Sequence, residues 1–484
     1  MAVRTGKQYL DDLRDGREVW LEGERVEDVQ THPKLRRMAH TLASLYELQH
    51  DPALSSDMTF TSPSSGESVA LSYMVPHSLE DLCRRRRAFE IVADACHGML
   101  GRTPDVVNLQ VTGASMLAVE FGAKEPWLAD NLTAYHEYIR EHDLCVTHAF
   151  GHPQVNRSAP VSEQPDQYVA LGIVETNDTG IVVRGAKALA TLAPFANELY
   201  CPPWVPARPD EAMYCLGFAL PVATPNLRFV CRESYDGGRP LYDRPLSGQY
   251  DELDAFVIFD DVLIPWHRVF SYNDVELHNK LVISVIHEAQ QRQNRQQVLV
   301  RQVAKLEFTL GIARELTEAI GIGGFAHIQE KLAEIIDTLE TSRAFLRAAE
   351  ADAGPWRGVG IWLAAEPCTA SRNSWPDAWA RVAAILQQLA AGGLMLTPTL
   401  ADMEGPARPL IDKYFQGANI EAYQRVRLFR LVWDLIGTSF GERSTLYERY
   451  FSGDVVRHRQ NRFHSYDYTK ATKSYRNFVD DLRE

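Results

Sequence analysis

The chain has 484 residues, 45% hydrophobic and 24% charged, and its 50 Lys and Arg against 64 Asp and Glu give a formal net charge of −14. A chain of this length divides into two or three domains, and so acidic a composition excludes a general affinity for nucleic acid or anionic membrane, leaving a small molecule as the expected partner. The N-terminus has no apolar leader and no run approaches the roughly 18 apolar residues of a membrane span. The seven cysteines, at 83, 96, 145, 201, 215, 231 and 368, form no CxxC pair, so core thiols in a cytoplasmic protein are expected, with no metal site.

Residues 1 to about 145 read as mostly helical. Thr5 is placed to cap a helix from Gly6 to Leu13, Asp15-Gly16 ends it, and Val19 to Glu24 has the form of a small hairpin. Apolar residues at Leu35, Met38, Leu42, Leu45 and Leu48 mark one buried helical face. Ser78 opens a longer helix with Glu80-Asp81 in its first turn. Arginines 84–87 point around that helix, so most of the run is expected to be solvated or paired across a subunit contact. Gly101-Arg102 follows, and Pro104-Asp105 starts another helix. A guanidinium held there can aim its fork at an anionic oxygen, or pair with Asp105 as a structural link.

The stretch 143–158, DLCVTHAFGHPQVNRS, joins these helices to a β-rich segment. It sets the His148 imidazole beside a backbone that bends at Gly151 and Pro153, with Gln154, Asn156 and Arg157 as donors beyond. That composition suits a wall of a ligand pocket, or a plain turn whose histidine caps something. Residues 146 to about 270 then change period. Tyr168–Glu175 and Gly180–Gly185 flank Asn177-Asp178-Thr179 as a hairpin, and Met213–Pro221, Leu227–Cys231 and Ala255–Phe259 add strands.

From Asn273 the chain reads as helical again. The segments are 275–320, broken at Gly321 to Gly324, then Ile328–Ala351, then Pro376–Ala391 with proline at its first position, and Ile420–Leu435. Four such segments make an antiparallel bundle. The glutamine-rich span Gln290–Gln302 keeps an apolar register through Val298, Val303 and Leu306 and is read as an exposed helix face. Glycines in Gly437–Arg443 permit close backbone approach to a ligand. The charged and aromatic end, Tyr466–Glu484, suits a contact with another subunit.

In three stretches together, Gly101-Arg102-Thr103-Pro104-Asp105-Val106-Val107-Asn108, 143–158 and Lys187-Ala188-Leu189-Ala190-Thr191-Leu192-Ala193-Pro194, the chain resembles the 4-hydroxyphenylacetate 3-hydroxylase family. These are oxygenase components of two-component flavin monooxygenases, and the resemblance runs from Thr5–Leu10 to Leu446–Arg449. It implies an α+β protein of acyl-CoA dehydrogenase-like arrangement: a helical N-terminal domain (1–145), a β-sandwich-like middle domain (146–272), a C-terminal four-helix bundle (273–460) and a tail (461–484) at a subunit contact of a homotetramer. It implies hydroxylation of a phenol or related aromatic, free or carrier-tethered, ortho to a ring oxygen. The implied co-substrates are O2 and FADH2, acting through a C4a-hydroperoxyflavin, with the FADH2 supplied by a separate NAD(P)H:flavin reductase. The absence of a GxGxxG fingerprint agrees with a reductant made elsewhere.

By the same resemblance Arg102 and His148 are the catalytic pair holding the substrate oxygen, and Val106, Pro203 and Trp204 line the substrate. His148, Ala149, Phe150, Gln154, Val155, Asn156, Arg157 and Thr191, with Phe440, Gly441, Glu442 and Arg443, hold FAD, the Thr191 hydroxyl donating to flavin N5 or to oxygen at C4a. Two positions depart from the family. Val106 stands where a tyrosine is common, and Pro203-Trp204 where small hydroxyl side chains meet the substrate's acidic tail. Either Arg102 and His148 act alone, another donor replaces the tyrosine, or the aromatic differs; the departures favour a different aromatic, larger or uncharged. The alternative on the same fold is an acyl-CoA dehydratase, isomerase or dehydrogenase. The dehydratase branch holds an iron–sulfur cluster through cysteines and a histidine, yet no cysteine lies between 232 and 367 here. A dehydrogenase would need a bundle carboxylate such as Glu307 or Glu315.

Overall fold

The computed structural model describes residues 3–482. Local signals start the N-terminal helices. The Gln8 N–H donates to Thr5 Oγ1 at 3.2 Å and the Thr5 N–H to Gln8 Oε1 at 2.8 Å, a reciprocal cap on Gly6–Asp12. Ser78 and Asp81 cap Leu79–Ala95 in the same way. Prolines at the first position open Pro104–Ser115 and Pro126–Glu141.

The early hairpin, Glu18–Leu21 with Glu24–Val26, leaves the helical segment to which its position in the chain assigns it. It pairs in parallel with Leu227–Cys231 and extends a six-stranded sheet. Beyond Leu227–Cys231 the order runs through Asp254–Pro265 and Gly180–Thr191 to Gly172–Asn177. Asn177 Oδ1 accepts from the N–H groups of Thr179 at 2.9 Å and Gly180 at 3.2 Å, which fixes the hairpin turn. A four-stranded sheet has the order Val269–Tyr272, Leu216–Pro221, Glu198–Cys201, Val146–His148, so His148 ends an edge strand. The rings of Phe218 and Phe259, one from each sheet, meet edge to face at 5.9 Å.

The bundle consists of Arg295–Ala319, Ala326–Ala351, Ala365–Ala390 and Ala422–Ile436. Its entry, Val275–Asn294, is interrupted by two π-helical turns, Val282–Ile286 and Gln290–Asn294. The third helix begins at Ala365, so Pro376 lies inside it and not at its first position. Its ring is buried, and without a proline N–H the Arg372 carbonyl has no helical donor.

The structure corrects one further expectation. The glutamine-rich span is buried: Gln293, Gln296, Gln297 and Gln302 are 0–2% exposed. Their hydrogen bonds are only partly met there, since Gln296 Oε1, Gln297 Oε1 and Gln302 Nε2 have no partner among the described residues. Gln296 Nε2 donates to Leu82 O at 2.8 Å and Glu350 Oε1 at 2.7 Å, and Gln297 Nε2 to Thr103 Oγ1 at 3.1 Å. Most of the four-arginine run is at the surface as expected: Arg84 and Arg87 are exposed and Arg86 partly so, Arg86 pairing with Glu350 at 2.9 Å and Arg87 with Asp57 at 3.2 Å within the chain, and only Arg85 is fully buried, donating to Gln293 Oε1 at 2.8 Å.

The helix that follows the bundle, Ser439–Tyr450, is locked to it by buried Glu448. Its carboxylate takes both Arg301 Nη atoms (2.6 and 2.8 Å), Lys305 Nζ (2.8 Å) and Trp375 Nε1 (2.8 Å). Burial disfavours the Glu448 charge, but these cations outweigh it and hold the carboxyl well below its usual range.

Candidate active site

Arg102 and His148 come from different elements, the segment before Pro104–Ser115 and the end of the edge strand, and meet in the interior at 9% and 4% exposure. Arg102 Nε donates to His148 Nε2 at 3.3 Å, and His148 Nδ1 lies 2.8 Å from Gln110 Oε1. A guanidinium has no lone pair to offer, so Nε2 is the acceptor and the ring proton resides on Nδ1, donated to Gln110. Burial first, and then the charge of Arg102, push the His148 pKa well below its ordinary value, so the ring is neutral. Sequence reasoning missed Gln110; the signal available was a polar residue within the largely apolar run VVNLQV.

Arg102 is held on all sides, and not by Asp105, which pairs with Thr103 and Gln297. Its own N–H donates to Glu252 Oε1 at 2.5 Å and Nη1 to Gly101 O at 3.0 Å. Nη1 also reaches the hydroxyl of Tyr447, which donates onward to Gly101 O at 2.9 Å. A Cβ at residue 101 would lie 2.3 Å from Tyr447 Cζ, so glycine is what lets the phenol come this close. Tyr447 lies within the region of family resemblance, but the sequence alone gives it no role.

Behind Arg102 a charged network ties the bundle to the sheet. Arg443 donates to Glu252 Oε2 at 2.8 Å and to both Asp254 oxygens at 2.9 and 2.6 Å; Asp254 Oδ1 also accepts the Thr191 hydroxyl at 2.7 Å. Burial opposes the Asp254 charge, yet Arg443 and then Arg232 hold its carboxyl well below the usual range. The Thr191 hydroxyl proton is thereby given to a carboxylate and not to a ligand. Phe440 is buried in the core and Gly441 packs against the Leu435 backbone, while Glu442 is exposed. Residues 440–443 thus form the first turn of a capped helix, not a loop, and serve to anchor it.

In front of the pair is a cleft of about 740 Å³. Gln154, Asn156, Arg157 and Trp204 line it, whereas Val155 is 59% exposed and is not part of its lining. Phe150 stacks on His148 (ring centroids 3.8 Å) and Trp204 on Phe150 (4.4 Å), so two aromatic rings separate the pair from the open cleft. Ala149 is fully buried and its N–H donates to Tyr200 O at 3.1 Å. Pro203 is buried against Gly217, away from the cleft, and Val106 is buried one helical turn before Gln110. Gly151 continues the edge by bridging to Ala188, where a Cβ would meet Ala188 O at 2.8 Å.

Two groups beside the cleft lack the partners that buried polar atoms normally have. Lys187, 5% exposed, donates only to Phe150 O at 3.3 Å and makes no ion pair among the described residues; burial lowers its pKa. His152 Nδ1 is buried without a partner, and burial, followed by the charge of Lys187, lowers the ring to about 3. Glu307 and Glu315 are solvent-exposed, and no group of three or more His, Cys, Asp or Glu among the described residues is arranged to hold a metal ion.

Two family profiles match the chain: 4-hydroxyphenylacetate 3-hydroxylase N terminal over residues 5–271 and 4-hydroxyphenylacetate 3-hydroxylase C terminal over residues 286–480. The chain is 40% identical to the 4-hydroxyphenylacetate 3-monooxygenase oxygenase component of Thermus thermophilus over 99% of this chain and 98% of that protein. It is similar, at a TM-score of 0.93 and 41% identity over 99% of both chains, to a crystal structure of the oxygenase component of 4-hydroxyphenylacetate 3-monooxygenase complexed with FAD and 4-hydroxyphenylacetate. An archaeal 4-hydroxybutyryl-CoA dehydratase from N. maritimus, 20% identical, aligns at a TM-score of 0.87 over 99% of this chain and 95% of its own; that likeness carries the fold alone, the acyl-CoA dehydrogenase-like α+β arrangement.

Proposed function

The chain belongs to the 4-hydroxyphenylacetate 3-hydroxylase family, and on that premise we propose that it is the oxygenase component of a two-component, reduced-FAD-dependent monooxygenase that hydroxylates a phenol or related aromatic ortho to its ring oxygen. The observation that carries this reading is the Arg102–His148 pair, buried behind the aromatic wall of a cleft large enough for a cofactor and a substrate ring.

The residues present fit FAD. Buried Lys187, paired with one carbonyl only, and the unpartnered His152 Nδ1 suit the carbonyl and nitrogen edge of a flavin ring, and Gln154, Asn156 and Arg157 on the cleft wall suit its phosphate-bearing arm. When bound, reduced FAD supplies the electrons that activate O2 for insertion of one oxygen atom into the ring. Everything else falls to the protein. Arg102 favours negative charge on the phenolic oxygen, which makes the ortho carbon electron-rich. His148 is neutral, and its Nε2, which accepts from Arg102 Nε at 3.3 Å, takes the phenolic proton once the phenolic oxygen replaces it as the acceptor of that guanidinium N–H, while Gln110 keeps the other ring proton on Nδ1. Phe150 and Trp204 exclude water and hold the ring flat.

A separate reductase supplies the reduced flavin and uses a nicotinamide as electron source. The tail helices Val455–Ser465 and Thr469–Asp481 expose Val456, Phe463, Tyr475 and Phe478, which supports their burial against other copies in a tetramer. Among the described residues no helix is long and apolar enough to cross a membrane, which supports a cytoplasmic site of action. The test is to supply chemically reduced FAD and 18O2 with a panel of phenols and follow the products by mass spectrometry. A catechol carrying one 18O is expected. Complete reoxidation of the flavin to FAD with the O2 reduced to hydrogen peroxide, and no labelled aromatic across the panel, would refute the assignment.

A further inference from the structure

The N-terminal domain contains a cavity of about 50 Å³, set among the helix Arg36–Glu47 with the turn Leu48–His50 that continues it, the turn Leu71–Tyr73, the helix Leu79–Ala95 and the start of Pro104–Ser115. Leu45, Met58, Leu71 and Phe89 contribute to a largely apolar wall. Five polar side chains interrupt that wall, Gln49, Ser72, Asp105, Asn108 and Asp143, and none is more than 7% exposed. Asp143 Oδ2 accepts from Gln49 Nε2 at 2.9 Å and from the Arg4 N–H at 3.1 Å, so the Gln49 amide gives its nitrogen to the carboxylate and keeps Oε1. Asn108 Nδ2 donates to Ser72 Oγ at 3.1 Å and leaves Oδ1. Asp105 Oδ1 accepts from the Thr103 hydroxyl and from Gln297 Nε2 at 3.5 Å and leaves Oδ2.

What these side chains leave over is all of one kind. Gln49 Oε1, Asn108 Oδ1 and Asp105 Oδ2 are buried with no hydrogen-bond partner among the described residues, three acceptors on residues that line one cavity. Each is destabilising until a donor or a positive charge reaches it. The charge is one-sided as well. Burial raises the Asp143 carboxyl, and the nearby charge of Arg4 opposes that effect. Asp105 makes no ion pair among the described residues; burial pushes it up to about 6, and its hydrogen bonds from Thr103 and Gln297 offset this only in part. A buried carboxylate is normally either paired with a cationic side chain or bound to a metal.

We propose that this cavity binds one monovalent cation of potassium or ammonium size through Gln49 Oε1, Asn108 Oδ1 and Asp105 Oδ2. Three oxygens, only one of them a carboxylate's, favour a hard cation over a transition metal. One uncompensated carboxylate matches a single positive charge. The apolar wall cannot replace lost waters, so the ion must be one that gives up hydration readily, which magnesium does not. Water alone would meet the acceptors but leave the Asp105 charge uncompensated. The ion has a structural task beside the candidate active site. Asp105 and Asn108 lie on the helix that follows Arg102, and Gln110, two residues beyond Asn108 and so on roughly the opposite face, holds His148. The cation ties that helix to the turn Leu48–His50 through Gln49.

The experiment follows thermal unfolding of the full-length protein by circular dichroism, at constant ionic strength, as tetramethylammonium chloride is replaced by potassium or ammonium chloride. Methyl groups cover the charge of tetramethylammonium, so oxygens cannot coordinate it. A rise in Tm of roughly 2 °C or more, growing with the logarithm of the potassium or ammonium concentration, is expected. Gln49→Leu should abolish the rise. Asp105→Asn keeps the shape of the side chain, should abolish the rise as well, and serves if the first variant does not fold. Crystals grown with rubidium chloride, whose cation substitutes for potassium and scatters anomalously, should show a peak in the cavity, and that map decides the matter if neither variant folds. A Tm that does not depend on which cation is present, a cation-specific rise that persists in either folded variant, or a cavity without anomalous signal would overturn the inference, leaving a site for water only.

Discussion

Gln110→Leu removes one hydrogen bond from the site and little else. The side chains have similar length, the position is 7% exposed, and the lost contact is the 2.8 Å bond from His148 Nδ1–H. A buried donor left without a partner costs about 1–3 kcal/mol, and the imidazole then gains by turning or by moving its proton to Nε2. Either response takes the Nε2 lone pair away from the phenolic proton, so the loss belongs to the reacting complex more than to substrate binding. Roughly tenfold to hundredfold in the rate of product formation is expected, with a much smaller change in KM. Gln110→Glu separates positioning from mere packing. A carboxylate facing Nδ1–H favours the imidazolium and raises the His148 pKa, so the acidic limb of the pH–rate profile should move to higher pH. The assay is single-turnover product yield with chemically reduced FAD, repeated from about pH 5 to 9. Wild-type rate and profile in both variants would refute the assignment of Gln110 as the residue that fixes the imidazole.

Arg102→Lys keeps a charge but cannot reach His148, Tyr447 and Gly101 at once, so KM for the phenol should rise about tenfold; an unchanged KM would make Arg102 structural. Arg443→Met leaves Glu252 without its cation and Asp254 with Arg232 alone, and a loss of about 3 kcal/mol is expected in urea unfolding. Because the Asp254 carboxyl is held below its ordinary value in the fold, its contribution is complete above about pH 4 and is lost as pH falls through the folded value. The acid-unfolding midpoint of the variant should therefore lie at higher pH than that of the wild type, and coincident midpoints would contradict the network.

The features legible in the sequence are those encoded over short distances. Thr5 and Ser78 lie three residues from the side chains that cap with them, and Asn177 closes its own hairpin. Arg102 and His148 are legible because each sits in a compact motif. The partners that define their chemistry are not, since Gln110, Glu252 and Tyr447 come from three separate elements and only folding brings them together. The misreadings have one physical origin. Glutamine and arginine in a helix read as surface residues, but Gln293 Oε1 accepts from Arg85 Nη1 in the core, where both are buried, and local polarity cannot reveal a matching polar group over two hundred positions away. Pro376 reads as a helix start because a proline inside a helix is costly, yet the neighbouring tryptophans Trp375 and Trp379 bury enough surface to carry the helix through it.

The valine at 106 gains its meaning from the same long-range contacts. A tyrosine there would set a phenol hydroxyl beside Arg102 and His148, and its absence could leave the guanidinium short of a partner. It does not, because the Tyr447 hydroxyl approaches Arg102 from the helix Ser439–Tyr450, through the space that Gly101 leaves open, and that helix is fixed by Glu448 against Arg301 and Lys305. Burial pushes the Tyr447 phenol up to about 12 despite the opposing charge of Arg102, so it remains a neutral group that accepts from Arg102 and donates to Gly101 O. Both of its ordinary bonds are then used within the protein, and none is left for a substrate oxygen. On the proposed reading, the consequence of Val106 falls on the ligand: its oxygen would meet one guanidinium and one imidazole, with an apolar side chain where a third donor would stand.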